Sequence, residues 1–494
     1  AHVLGYTGSI SEERLAEIDA DTDGANPLGY EPGDEIGRTG LELAYEDDLR
    51  GTPGQTTYEV DASGNVTGII EEGTFPAVPG EDLITTLDVN VQSLAEAELA
   101  SRLEGVRSSQ FPAPAGSVVV LDPNDGGVVA MASYPTFNPN AFTNGISQAD
   151  YAVLTDPEGP LPLNNRAVQG QYAPGSTFKP ITAVAALQNG IRSPESTVED
   201  PGEYTAQNCD GESCVFRNDE STAHGLVDLR RSLEVSSDFY YYEIGDILWL
   251  QRDRVGDEAL QSVARSFGLG EPTGVELPFE AAGVVPTPER KARNNREMPE
   301  AFPYGDWLSG DNINLAIGQG DLLVTPLQLA NAYGAIANGG TVWQPRVGTS
   351  VVDTTSDGPE ATVVETFGPE IGRRINLTPA VRQPLIDGLV GVTSGPEGTA
   401  IAAFSGNPAG WPIAGKTGTA QVSGKANTSV FAGFGPVVPE QPPRYVAAAV
   451  LEEAGYGGDV AAPLVARIFA GLADPAQLPT APRAADVLPA IQEP

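Results

Sequence analysis

Strand-forming sequence stands at two places far apart in this chain, with a long helical stretch between them. That spacing restricts the fold more than any single motif. The first cluster is a hairpin pattern, Ser117–Leu121 and Val128–Ala132, split by the turn-forming DPNDGG of residues 122–127. The second begins at Gly415 and runs through KTGTAQV, SVFAGFG and RYVAAAVLEE. Between them, Gln169 to about Asn338 reads as mainly helical. Strands at both ends of a helical middle predict an α/β (α+β) domain whose antiparallel sheet is completed late and flanked by helices. A helix of about four turns after Asp88 and another over Ala461–Leu472 supply the flanking layer.

A smaller module precedes this domain, since 494 residues exceed one compact core. Residues 1–80 hold an acidic helical stretch (Ser11–Ile18), a turn-rich run (Gly29–Gly54) and a hairpin in which TTYEV and VTGII flank Asp61–Asn65. The Pro/Gly-rich Gly73–Asp82 reads as the linker. The expected division is a module at 1–80, a main domain at 81–474 and a flexible Pro/Ala-rich tail at 475–494.

Charge removes some functions from consideration. With 67 acidic against 27 basic residues the formal net charge is -40, a surface that repels phosphate backbones and makes nucleic acid an unsuitable partner. Lysine is scarce: Lys179, Lys291, Lys416 and Lys425 are all there are. The cysteines, Cys209 and Cys214, sit in NCDGESC, a spacing that suits a loop-closing disulfide in an exported protein. A metal site using Cys209, Cys214, His224 and Asp200 is the alternative, without a tight C-x-x-C pair or a second nearby histidine to support it. No apolar run approaches the roughly 20 residues that span a bilayer.

Two of the four lysines fall in motifs that carry chemistry. In QYAPGSTFKP, Ser176 opens a helical pattern and Lys179 follows on the same face, a nucleophile and a base within reach. Desolvation and a nearby cation would depress the lysine enough for that role. Ser236-Ser237-Asp238 offers a hydroxyl and a carboxylate two residues apart, able to relay a proton and hold an amide. Gly415-Lys416-Thr417-Gly418-Thr419 begins a strand, with a cation, two hydroxyls, glycines that permit close backbone approach and an N–H at Thr419 for an oxyanion. Alone, each has a bland alternative: a helix cap with a surface lysine, a helix start, a glycine turn.

Together they form S-x-x-K, S-x-[ND] and K-T-G in the order found in penicillin-binding proteins and class A β-lactamases. The chain resembles the class B, monofunctional penicillin-binding proteins, and among them the elongation-type group, penicillin-binding protein 2. GRTGLELAYEDDLRGTPG (Gly37–Gly54) resembles that family's pedestal signature. DLITTLD (Asp82–Asp88), Val118–Asn140, Asn164–Pro180, Ala316–Gly340 and EGTA (Glu397–Ala400) also follow its pattern.

The resemblance implies a penicillin-binding/β-lactamase-like transpeptidase domain on a truncated pedestal (dimerisation-type) domain. It assigns Ser176 as the acylated nucleophile, Lys179 as its base, Ser236 as the proton shuttle, and Asp238 as the third position of that motif. Lys416 tunes the site electrostatically, and with Thr417, Gly418 and Thr419 it forms the strand that receives the donor's terminal carboxylate. The implied reaction is D,D-transpeptidation between D-Ala-D-Ala stem peptides and an amine acceptor, with acylation by β-lactams and no cofactor or metal. A membrane glycosyltransferase partner and a membrane-anchored, extracytoplasmic location are also implied. A D,D-carboxypeptidase, a β-lactamase or a β-lactam-sensing domain remain alternatives. The β-lactamase lacks support because no Leu-Asn pair occurs between Asp238 and Lys416.

Overall fold

The computed structural model describes residues 1–21, 29–109, 111–143, 145–353 and 362–479. Its centre is a five-stranded antiparallel sheet. The strands are β1 (Gly116–Leu121), β2 (Val128–Tyr134), β3 (Ala414–Ala420), β4 (Thr428–Gly435) and β5 (Tyr445–Leu451), in the order β3-β4-β5-β1-β2. The late strands thus join the early hairpin through β5, with Val446 opposite Leu121 and Leu451 opposite Gly116. Val118, Val119, Val120, Ala447, Ala448 and Ala449 are fully buried, so both faces of the sheet are covered.

One face packs on α1 (Val89–Arg107) and α6 (Ala461–Ala473). Helix α1 is 19 residues, a turn longer than expected, and starts where the Asp88 carboxylate accepts the Asn90 and Val91 N–H groups. The other face packs on α4 (Pro326–Asn338), which is buried from Pro326 to Ala337. Thr325 and Gln328 cap α4 reciprocally, and Gly339 ends it in the left-handed conformation. On that side helix α2 (Lys179–Gln188) packs against α3 (Asp238–Leu250) and α5 (Pro379–Ser394).

The stretch expected to be mainly helical is interrupted. Val198–Asp200 pairs with Gly225–Val227, and Glu203–Thr205 pairs with Val215–Arg217. Strands of three residues are too short to show a period-two pattern, which is why helix was read through them. Cys209 and Cys214 are joined in a disulfide between the paired segments Glu203–Thr205 and Val215–Arg217.

In the first module, Thr7–Ser9 pairs with Glu35–Gly37, and a helix runs over Glu12–Asp21. The predicted hairpin forms from Gln55–Val60 and Val66–Phe75, its turn closed by Asp61 accepting the Ser63 and Asn65 N–H groups. The linker expectation needs trimming at both ends, because Gly73–Phe75 continue the hairpin strand and Asp82–Thr85 pairs with Gly348–Asp353. Of the expected tail, Pro475–Gln477 forms one 3-10 turn and residues 480–494 lie outside the described residues.

Candidate active site

Ser176 lies in a 3-10 turn, Gly175–Phe178, that runs directly into α2 at Lys179. The helix therefore opens one turn later than the sequence pattern suggested, and Ser176 sits in the tight turn before it. That turn is fastened at several points. Gly175 N–H donates to Gly318 O at 2.9 Å, Thr177 Oγ1 to Pro174 O at 2.7 Å, and Tyr333 Oη to Thr177 O at 2.9 Å. Gly175 has φ 53°, and a Cβ there would stand 2.8 Å from Thr419 O, so only glycine lets this turn meet the edge strand β3. From the strand side, a Cβ on Gly418 would stand 2.6 Å from Pro174 O.

The Lys179 side chain is completely buried and converges on the second motif. Its Nζ donates to Ser236 O at 2.7 Å and to Ser236 Oγ at 3.1 Å, and pairs with Asp238 Oδ1 at 2.7 Å. The Tyr241 ring lies 5.5 Å away. Burial lowers the proton affinity of Lys179 below the ordinary lysine range, and the Asp238 and Asp200 carboxylates oppose that shift without cancelling it.

The second motif is a helix entrance, as its residue types suggested. Ser237 caps α3, its Oγ accepting the Tyr240 N–H at 3.2 Å. Ser236, just before it, has φ 60°, the left-handed region that residues with a Cβ seldom enter. Asp238, the first residue of α3, pairs with Lys179 through Oδ1.

Lys416 is also fully buried, with Nζ 3.1 Å from Thr417 O. Burial pushes its proton affinity well below the lysine range, the Lys179 ammonium adds to that, and Asp238 opposes it. Thr417 Oγ1 meets Thr399 Oγ1 at 2.7 Å, which brings the Glu397–Ala400 segment to the site. Thr419 is partly exposed on β3, its carbonyl accepting Gln319 Nε2 at 3.2 Å.

The structure thus brings Ser176, Lys179, Ser236, Asp238, Lys416, Thr417, Gly418 and Thr419 to one place. Sequence reading missed Asn218, Gln319 and the contact role of Thr399, and considered Asp200 only as a metal ligand. Asp200 instead accepts hydrogen bonds from Ser237 and Asn218, while the cysteines bind each other. Gln319 and Thr399 lie in segments that follow the family pattern, whereas no local pattern marks Asp200 or Asn218, because each acts on a segment distant in sequence. His224 is half-buried with its proton affinity lowered by burial.

Comparison with known proteins identifies families for both parts of the chain. The penicillin binding protein transpeptidase domain matches residues 116–470, and the penicillin-binding protein dimerisation domain matches residues 1–85. A curated relative, the peptidoglycan D,D-transpeptidase MrdA of Acinetobacter baumannii, is 34% identical over 484 residues. The match takes in 95% of this chain and 64% of that relative's length. The crystal structure of Pseudomonas aeruginosa PBP2 in complex with WCK 5153 superposes with a TM-score of 0.75 at 31% identity, covering 98% of this chain and 91% of that one. A chain from a peptidoglycan synthase complex, solved for the coordination of polymerization and crosslinking, gives a TM-score of 0.75 at 31% identity over 95% of this chain and 74% of that one.

Proposed function

The chain belongs to the penicillin-binding protein transpeptidase family, and on that premise we propose that it is a serine D,D-transpeptidase that crosslinks peptidoglycan stem peptides and is acylated by β-lactams. The observation that carries the reading is the convergence of the buried Lys179 on Ser236 and Asp238, three residues after Ser176 and beside the KTG strand.

Ser176 Oγ attacks the carbonyl carbon of the donor's penultimate D-Ala, and its proton passes to the uncharged Lys179 amine. Backbone N–H groups of Ser176 and Thr419 take the oxyanion; the close approach of Gly175 to Thr419 supports that pairing. The C–N bond then breaks, and the departing D-Ala amine receives its proton through Ser236 Oγ, which Lys179 Nζ contacts at 3.1 Å. The amine of a second stem peptide attacks the resulting ester, loses a proton by the same relay and restores the Ser176 hydroxyl. Thr417, Gly418 and Thr419 receive the donor's terminal carboxylate, with Lys416 buried beside them.

Water in place of the amine would make the same acyl-enzyme a D,D-carboxypeptidase. Likeness to a chain of a peptidoglycan synthase complex that coordinates polymerization and crosslinking supports a polymerising partner, which the family resemblance makes a membrane glycosyltransferase on the extracytoplasmic face of the cell membrane. Among the described residues no helix is long and apolar enough to cross a membrane.

Incubation with a fluorescent penicillin tests the reading. A long-lived adduct that Ser176→Ala abolishes is expected. No adduct with the unmodified chain overturns the reading, and an adduct that clears within seconds points to a β-lactamase. A donor peptide offered with an amine acceptor then separates transfer from hydrolysis.

A further inference from the structure

Asp200 belongs to none of the three motifs, yet its carboxylate is fully buried behind the second of them. Its Oδ2 accepts from Ser237 Oγ at 2.6 Å and from Asn218 Nδ2 at 2.9 Å. Its Oδ1 accepts from the same Asn218 Nδ2 at 2.9 Å and from Gly202 N–H at 2.9 Å. Asn218 is itself buried, and its Oδ1 accepts the Phe239 N–H at 2.8 Å. Asp200 and Asn218 therefore hold the chain on both sides of Asp238, through the Ser237 side chain and the Phe239 backbone.

This grip explains how Ser236 stays in a left-handed conformation without being glycine. Ser237 donates to Asp200 while capping α3, so the residue before it has little freedom to turn. In that conformation the Ser236 carbonyl and hydroxyl oxygens both face Lys179 Nζ, at 2.7 and 3.1 Å.

We propose that Asp200 is a positioning residue for acylation: its buried carboxylate locks Ser236 and Asp238 against Lys179 and places a second negative charge near that lysine. The inference rests on the transpeptidase reading of Ser176, Lys179 and Ser236. The charged and titratable groups around Lys179 are Asp238, Asp200 and Lys416, with the Tyr241 ring beside it and His224 within electrostatic range.

Two variants separate geometry from charge. Asp200→Asn removes the charge and sets one amide against another at Asn218. Ser237→Ala removes the hydrogen-bonding arm and keeps the charge. Both are expected to slow acylation by fluorescent penicillin about 10- to 100-fold, the scale of a displaced catalytic group. Only Asp200→Asn should move the acid limb of the pH–rate profile to lower pH, since Lys179 then loses a neighbouring negative charge and deprotonates sooner. Thermal melting reports whether each variant folds.

A folded Asp200→Asn that keeps the parent rate, or loses rate with its acid limb unmoved, overturns the proposal. Should Asp200→Asn fail to fold, Ser237→Ala decides: slower acylation at an intact melting point supports the proposal and an unchanged rate sinks it. Absence of any adduct with the unmodified chain would bring down the transpeptidase reading itself, and this inference with it.

Discussion

Lys179 Nζ and Asp238 Oδ1 stand 2.7 Å apart, the lysine side chain wholly enclosed and the aspartate 18% exposed. A base that must be neutral to accept a proton is thus held beside a carboxylate that favours its charged form, while burial pushes the other way. Replacing Asp238 by Asn removes the opposing charge. The acid limb of the acylation profile should move to lower pH, and a shift to higher pH or none would refute the assignment of Lys179 as base.

Lys416 offers a test through stability. Its folded proton affinity lies well below the ordinary 10.5, so between the two values the unfolded chain binds more protons than the folded one. Stability contributed by this residue should therefore rise with pH across that window, by at most about 1.4 kcal/mol per pH unit. Urea unfolding of the parent and of Lys416→Met from pH 7 to 10 should show the difference between them narrowing or reversing in the parent's favour as pH increases.

Gly418 lets β3 lie against the nucleophile turn. A methyl group there would stand 2.6 Å from Pro174 O and 3.0 Å from Thr177 Cγ2, neither of which is the far end of a flexible side chain. Gly418→Ala should cost about 1–3 kcal/mol of stability. Acylation measured well below the melting temperature should drop about tenfold or more, because the strand and Ser176 are forced apart.

The Cys209–Cys214 bond closes a loop with a sequence separation of only 5, outside the three motifs. Reduction should lower the unfolding free energy by about 2 kcal/mol, the loop-entropy scale for so short a ring. The acylation rate below the melting transition should stay within about twofold of the oxidised protein, a few tenths of a kcal/mol, since the pairing of Glu203–Thr205 with Val215–Arg217 holds the segment without the bond. Parallel melting and penicillin-binding assays with and without reductant check both parts.

The motifs were legible because each packs its chemistry into four or five consecutive residues, where helix or strand geometry fixes the relative placement. The helix start at Ser236-Ser237-Asp238 and the β-branched runs of β1 and β2 could be read for the same reason. Asp200 and Asn218 could not: their role depends on Ser237 and Phe239 meeting them across separate turns, and a lone aspartate in PGEY-like sequence carries no signature. The left-handed Ser236 was equally hidden, since nothing in SSD names a backbone angle that only its neighbours enforce. The strands around Cys209 were lost to their brevity.

The pairing of β5 with β1 bears on how such a chain matures. During synthesis, the early hairpin of Val118–Val120 and Ala130–Ala132 must wait, uncovered, until residues 445–451 arrive to lie beside it. Unpaired strands of that kind are prone to stick to one another, so a holding chaperone or rapid handover is expected to accompany the nascent chain. A polypeptide stalled before Tyr445 would already carry Ser176, Lys179, Ser236 and Lys416. It would still lack the strand that ties β3 and β4 to β1, so the sheet behind these residues closes only once Tyr445–Leu451 has arrived.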